Sequence, residues 1–246
     1  DLLWYFSDYS TNQLLTSIKT QDLIPKTFGT DFNYNNLMYA ALEPIIEDMS
    51  DLSFSEYMQQ KIFSPVGLLE TRLIENGAFR FSDNAAFDCN DTVLKRLMSI
   101  KGASGIISNL DDMTKYLMQY LNPKDPDFHK IIETVQHRNV DINAPNPIIF
   151  NGLEWIENPG YGLGWFIGAF HGSKIVFVMG LIDGYTSLMA FLPEHKIGAV
   201  VLTNLNLSPI PGQIMNKVFS TVLGHESKAI WKSDPKEETG NHNLSG

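Results

Sequence analysis

At 246 residues the chain can bury a sizeable core in one large domain or two small ones. Its 43% hydrophobic and 19% charged content is ordinary for a globular protein. No apolar run approaches the roughly 20 residues that span a bilayer. A net charge of −10 argues against nucleic acid and anionic membrane surfaces as partners, since both select basic patches.

Taken in chain order, residues 9–20 read as a short helix. Ser10 or Thr11 is its N-cap, and Leu14, Leu15 and Ile18 form its apolar stripe. Residues 25–32 are a connecting loop. The helix predicted next, over about 36–49, buries Leu37, Ala41 and Ile45. Pro44 should kink it or remove a ladder bond, at about 3 kcal/mol if unrelieved. Residues 53–63 form another helix, with Ser53 and Glu56 spaced as a capping box, running into a Pro65–Gly67 turn. Residues 71–100 carry no clean period. Beyond the small-residue run at 102–105, Ser108 and Asp111 have capping-box spacing for a helix to about Leu121, and a further helix covers about 126–138.

Residues 139–160, with Pro145, Pro147 and Pro159 and no period, read as the divide between two halves. After Gly160 the pattern changes to short β-rich runs, 163–170, 174–179, 186–192 and 196–203. The short links between them force antiparallel neighbours. A helix over 212–223, with Ile214, Val218, Val222 and Leu223 available for packing, closes the fold; residues 225–246 are a polar tail. Helices followed by an antiparallel sheet and a terminal helix give an α+β class.

Several chemistries find no support in the residues. Cys89 lies among Asp88, Asn90 and Asp91, which would raise a thiol pKa, so a catalytic thiolate is not expected, and a single cysteine makes no internal disulfide. None of the six histidines has a metal-ligand spacing, and there is no P-loop and no dinucleotide fingerprint. The expectation is no cofactor and no metal. Asn90, Asn206 and Asn243 stand in glycosylation sequons, which arise by chance at this frequency, and the compartment stays open.

Three segments share a pattern. Phe32-Asn33-Tyr34-Asn35-Asn36-Leu37-Met38-Tyr39 leads from a loop into a helix. The run from Gly102 to Leu121 includes Ser108 and Asp112-Met113. Tyr161-Gly-Leu-Gly-Trp165 is followed by Val178-Met-Gly-Leu-Ile-Asp-Gly-Tyr185. In this order they resemble the penicillin-recognising serine hydrolases: class C β-lactamases, D,D-peptidases and related esterases. The resemblance runs from about residue 2 to 224. It implies a partial serine β-lactamase-like fold, with a helical region over about 1–140 and a sheet region over about 160–224.

The same resemblance implies that Tyr34 is the family's general base or proton relay and that Asn36 holds a substrate carbonyl. It also puts Val178, Met179 and Gly180 where the K-T-G or H-x-G strand would bind substrate. Val and Met supply neither the cation or His nor the first Gly of that motif, so the third motif is altered. The family's nucleophile stands in an S-x-x-K turn, and Ser233-Asp-Pro-Lys236 alone has that spacing here, in the polar tail with a Pro where helix is needed. Ser104 is no substitute, because Ile106 occupies the last Gly of G-x-S-x-G. A phenol of pKa near 10 needs a cationic neighbour to act as a base, so Tyr34 should stay protonated.

The expectation is therefore an N-terminally incomplete β-lactamase-related chain, inactive as it stands. The alternative is a non-catalytic binding or scaffolding paralogue. A small-molecule or peptide substrate is implied for an active form, and self-association through uncovered apolar surface for the chain alone.

Overall fold

The computed structural model describes residues 4–5, 9–19, 30–74, 98–124 and 126–226. The polar tail after 226, Cys89, residues 25–29 of the loop expected at 25–32, residues 75–97 of the stretch without a period at 71–100, and Ser233–Lys236 all lie outside the described residues.

Helix α1, Thr11–Ile18, starts at Ser10, which decides between the two N-cap candidates. The Ser10 side chain accepts from the Gln13 N–H while the Gln13 amide accepts from the Ser10 N–H, and Leu14 is buried. The expected helix at 36–49 is two helices, α2 (Asn36–Ala40) and α3 (Leu42–Ser50), meeting at a turn on Ala41. This relieves Pro44: it is the third residue of α3, where a backbone N–H would have no intrahelical partner to lose. The break also changes the phase of the helix face. Leu37, Ala40 and Glu43 point inward, whereas Ile45, expected in the core, is 51% exposed.

Helix α4, Phe54–Met58, has the capping box expected from Ser53 and Glu56. It continues through a π-helical turn, Gln59–Phe63, and a last turn, Ser64–Val66, to Gly67 at positive φ. A short antiparallel pair, β1 (Arg72–Leu73) with β2 (Ile106–Ile107), precedes helix α5, Leu110–Leu121. Its cap differs from the expected one. Asn109, not Ser108, is the N-cap, accepting from the Asp112 N–H at 2.9 Å, while Ser108 bonds Thr71. Asn fills the N-cap role as well as Ser, and Ser108 lies one residue too early. Helix α6 spans Pro126–Val135.

The sheet has six antiparallel strands in chain order: β3 (Val140–Asp141), β4 (Glu157–Tyr161), β5 (Phe166–Phe170), β6 (Ser173–Ile182), β7 (Tyr185–Leu192) and β8 (Ile197–Thr203). The last four answer the four predicted runs. The first two fall in or across the stretch read as a divide, where Asn158 at positive φ and Pro159 irregularise β4 and mask its alternation. The 163–165 part of the first predicted run is a turn.

Alternate residues sort the core by face. Phe166, Phe170, Phe177, Leu188, Ala190 and Leu192 pack with Met215 and Phe219 of helix α7, Ile210–Leu223. Val176, Met189 and Phe191 face the other way, against Leu117 of α5 and Trp165. The terminal helix therefore packs through Met215 and Phe219. Val218 and Val222, expected on the sheet, are exposed, because the inward stripe is one residue out of phase with theirs.

Candidate active site

The Tyr-x-Asn octet forms where the chain leaves an extended loop for α2. Asn35 caps the helix by accepting the Leu37 N–H at 2.8 Å, which fixes Tyr34 and Asn36 on either side of the cap. The Tyr34 hydroxyl donates to Asn36 Oδ1 at 3.2 Å. The Tyr34 ring stacks on Phe166 of β5, and Phe166 in turn stacks on Phe177, its ladder partner on β6.

A second phenol, Tyr39, holds the same corner. It accepts the Gly164 N–H at 2.8 Å and sits edge-on to Tyr161, with ring centroids 6.5 Å apart. Burial, with Tyr39 nearby, pushes the Tyr34 phenol above its usual 10, and burial with Tyr39 does the same to Tyr161. With its phenol pushed up, Tyr34 presents a hydroxyl rather than a phenolate at this corner. Tyr39 and Tyr161 were not singled out from sequence, although Tyr39 lies inside the octet.

Gly102 lies where the small-residue run meets α2. A Cβ there would stand 2.6 Å from the Tyr39 carbonyl oxygen and 3.2 Å from Ala40 Cα, so only glycine permits this approach. Behind it, Asp112 joins α5 to the preceding loop. Its carboxylate, nearly inaccessible, accepts from Lys115 Nζ (2.9 Å), the Glu70 N–H (2.8 Å) and Thr71 Oγ1 (2.9 Å). The Lys115 hydrogen bond, backed by those of Glu70 and Thr71, holds the Asp112 carboxyl down to about 2. This segment is scaffolding for the corner on which Tyr34 and Tyr39 sit.

Val178, Met179 and Gly180 follow Phe177 on β6. They pair with Met189, Leu188 and Ser187 of β7. On the opposite edge the β5 ladder ends at Phe177, so among the described residues 178–182 are strand-paired on one side only.

The three side chains do not form one wall. Val178 packs on the α5 face with Leu117 and Trp165, Met179 on the α7 face with Phe166 and Phe177, and Gly180 is exposed. At the end of the strand the Tyr5 hydroxyl bonds both oxygens of Asp183 at 3.0 Å, and the Asp183-Gly184 turn is held by Asn206 Oδ1 accepting the Gly184 N–H. Tyr5 and Asp183 are further polar groups at this end of β6 that the sequence reading did not assign.

The Beta-lactamase family model matches residues 1–217. The chain belongs to the beta-lactamase family. Protein flp of Staphylococcus aureus (strain MRSA252) is 23% identical over 203 residues, which cover 80% of this chain and 38% of that protein. The unguisins hydrolase ungD of Aspergillus violaceofuscus is 25% identical over 195 residues, 71% of this chain and 34% of that protein. The chain thus spans little more than a third of the length of these curated relatives.

Among solved structures, the octameric penicillin-binding protein homologue from Pyrococcus abyssi superposes with a TM-score of 0.72 at 24% identity, covering 88% of this chain and 48% of that one. The D-amino acid amidase from Ochrobactrum anthropi SV3 gives 0.66 at 16% identity, covering 89% and 66%. At these identities the structural likeness establishes the fold, which is the α+β arrangement of helices, antiparallel sheet and C-terminal helix described above.

Proposed function

We propose that this chain carries two walls of a serine-hydrolase cleft, the Tyr34–Asn36 corner and the one-sided edge of β6 at 178–182, and that its 246 residues do not acylate on their own. The observation that carries the reading is the Tyr34–Asn36 pair: a phenol hydrogen-bonded at 3.2 Å to the Asn36 side-chain oxygen and raised in pKa by burial and Tyr39, with no cation acting on it among the described residues. A base in that role needs a depressed pKa and an attacking hydroxyl within hydrogen-bond reach. The one S-x-x-K spacing in the chain is Ser233–Lys236.

The substrate class is a strained or activated carbonyl, a β-lactam, an amide of a D-amino acid or an ester. A D-amino acid amidase and a penicillin-binding protein homologue share the fold. Incubation of the 246-residue chain with a fluorescent penicillin and with a fluorophosphonate, followed by peptide mass spectrometry, tests this; no serine should be labelled in stoichiometric yield.

A second reading, a non-catalytic binding or scaffolding role, draws on the third motif. Val178 and Met179 are half-buried in the two cores, so the strand offers a bound peptide its backbone edge and no charged side chain. Binding of D-alanyl-D-alanine peptides without hydrolysis would favour this role.

A further inference from the structure

The end of β6 away from the Tyr34 corner borders a different cavity. Helix α6, the turn after α5 and the β7–β8 turn border an open cavity of about 740 Å³. Lys174 on β6 lines it, six residues from Gly180, or about 20 Å along the strand. The cavity is therefore separate from the 178–182 edge.

Its charge is opposite to that of the molecule. In a chain of net charge −10, the lining contains Lys124, Lys174 and Lys196 with Glu133 as the sole carboxylate among the described residues. Glu133 is engaged with His129 at 3.3 Å, and Glu194 in the adjoining turn acts on Lys174. Lys124 and Lys196 have no ion-pair partner among the described residues.

At the cavity wall, Gln136 is only 7% exposed, and its side-chain Nε2 has no hydrogen-bond partner. A buried amide donor left unmade costs about 1–3 kcal/mol, so such atoms call for an explanation. The Lys174 ammonium stands on the same residue, donating to the Gln136 backbone oxygen at 3.2 Å with further donors to spare. Gln136 lines the cavity together with Lys174, so the unmade donor and the ammonium belong to the same wall. Burial holds the Lys174 ammonium below the usual Lys range, with Glu194 acting against the shift. Leu121, Pro123, Ile132 and Pro193 supply apolar wall around these donors.

We propose that this cavity is a binding site for a small organic carboxylate, its COO⁻ held between the Lys174 ammonium and the Gln136 amide and its apolar body against Ile132 and Pro193. Lys124 and Lys196 contribute long-range attraction. A carboxylate satisfies two donors with two oxygens in one plane and leaves its carbon skeleton for the apolar wall, which an inorganic anion cannot do.

The test is an NMR titration of the isotopically labelled 246-residue chain with phenylacetate, with phenylacetamide as the uncharged isostere and inorganic phosphate as the second anion. Phenylacetate should saturate and shift the Gln136 side-chain NH₂ and the amides of 174 and 196, and phenylacetamide should not. Lys174→Met should weaken binding about tenfold, the loss of one charge-assisted hydrogen bond. Lys196→Gln, on an exposed turn, should weaken it severalfold and decides the matter if Lys174→Met does not fold. Equal binding of phenylacetamide, shifts confined to the Tyr34 corner, insensitivity to Lys196→Gln, or phosphate binding without phenylacetate binding would each overturn the proposal.

Discussion

Tyr34 and Asp112 show how neighbours decide what a residue can do. Tyr34, which we propose holds the family's motif position, has its proton affinity pushed up by burial and Tyr39. Spectrophotometric titration of wild type minus Tyr34→Phe should therefore show one phenol ionising above pH 10. A phenolate appearing near neutral pH would contradict the assignment of Tyr34 as a neutral hydroxyl. Asp112 is the opposite case, its carboxyl held at about 2 against an ordinary 3.8. A depressed folded pKa contributes stability that is complete above about 3.8 and lost as pH falls from there through 2. Asp112→Asn should lower the urea midpoint at pH 7 and flatten its fall between pH 4 and pH 2; an unchanged acid limb would remove Asp112 from the account. Gly102→Ala, forced against the Tyr39 carbonyl, should cost about 1–3 kcal/mol by the same denaturation measurement.

At the scale of elements, what was legible in the sequence was local chemistry. The Ser53–Glu56 capping box formed because both of its hydrogen bonds are made within four residues, and Ser53→Ala should destabilise the chain by about 1 kcal/mol in thermal or urea melts. The strands at 166–203 were visible because they are short apolar, β-rich runs joined by short turns, near-continuous where both faces of the sheet are covered. Strands β3 and β4 were not, because Asn158 and Pro159 break the alternation and pairing partners 20 residues apart leave no local mark. The Ile45 and Val218 errors share one cause: a helix's inward face is fixed by what it meets in three dimensions, and one residue of phase moves a side chain from core to surface. At the candidate site, Tyr34 and Asn36 were readable as a pair, whereas the roles of Tyr39, Tyr161 and Phe166 depend on contacts spanning more than a hundred residues.

For the whole molecule, the two-faced sheet accounts for the fold, with α7 covering one side and α5 the other. The helical half is less covered. Met38, Leu42, Ile45 and Met49 recur at spacings of four and three along α2 and α3, and all are at least 43% exposed. An apolar stripe of that kind favours association. Sedimentation of the 246-residue chain should show concentration-dependent oligomers that Ile45→Glu with Met49→Lys shifts toward monomer; a wild-type chain monomeric at all concentrations would count against an uncovered face. In the proposed reading this beta-lactamase family chain contributes cleft walls without an acylating serine. The most direct measurement is covalent labelling of the purified chain by fluorescent penicillin and fluorophosphonate, mapped by peptide mass spectrometry. No serine should carry a stoichiometric adduct. Full labelling of one serine, lost when that residue alone is changed to Ala, would contradict it.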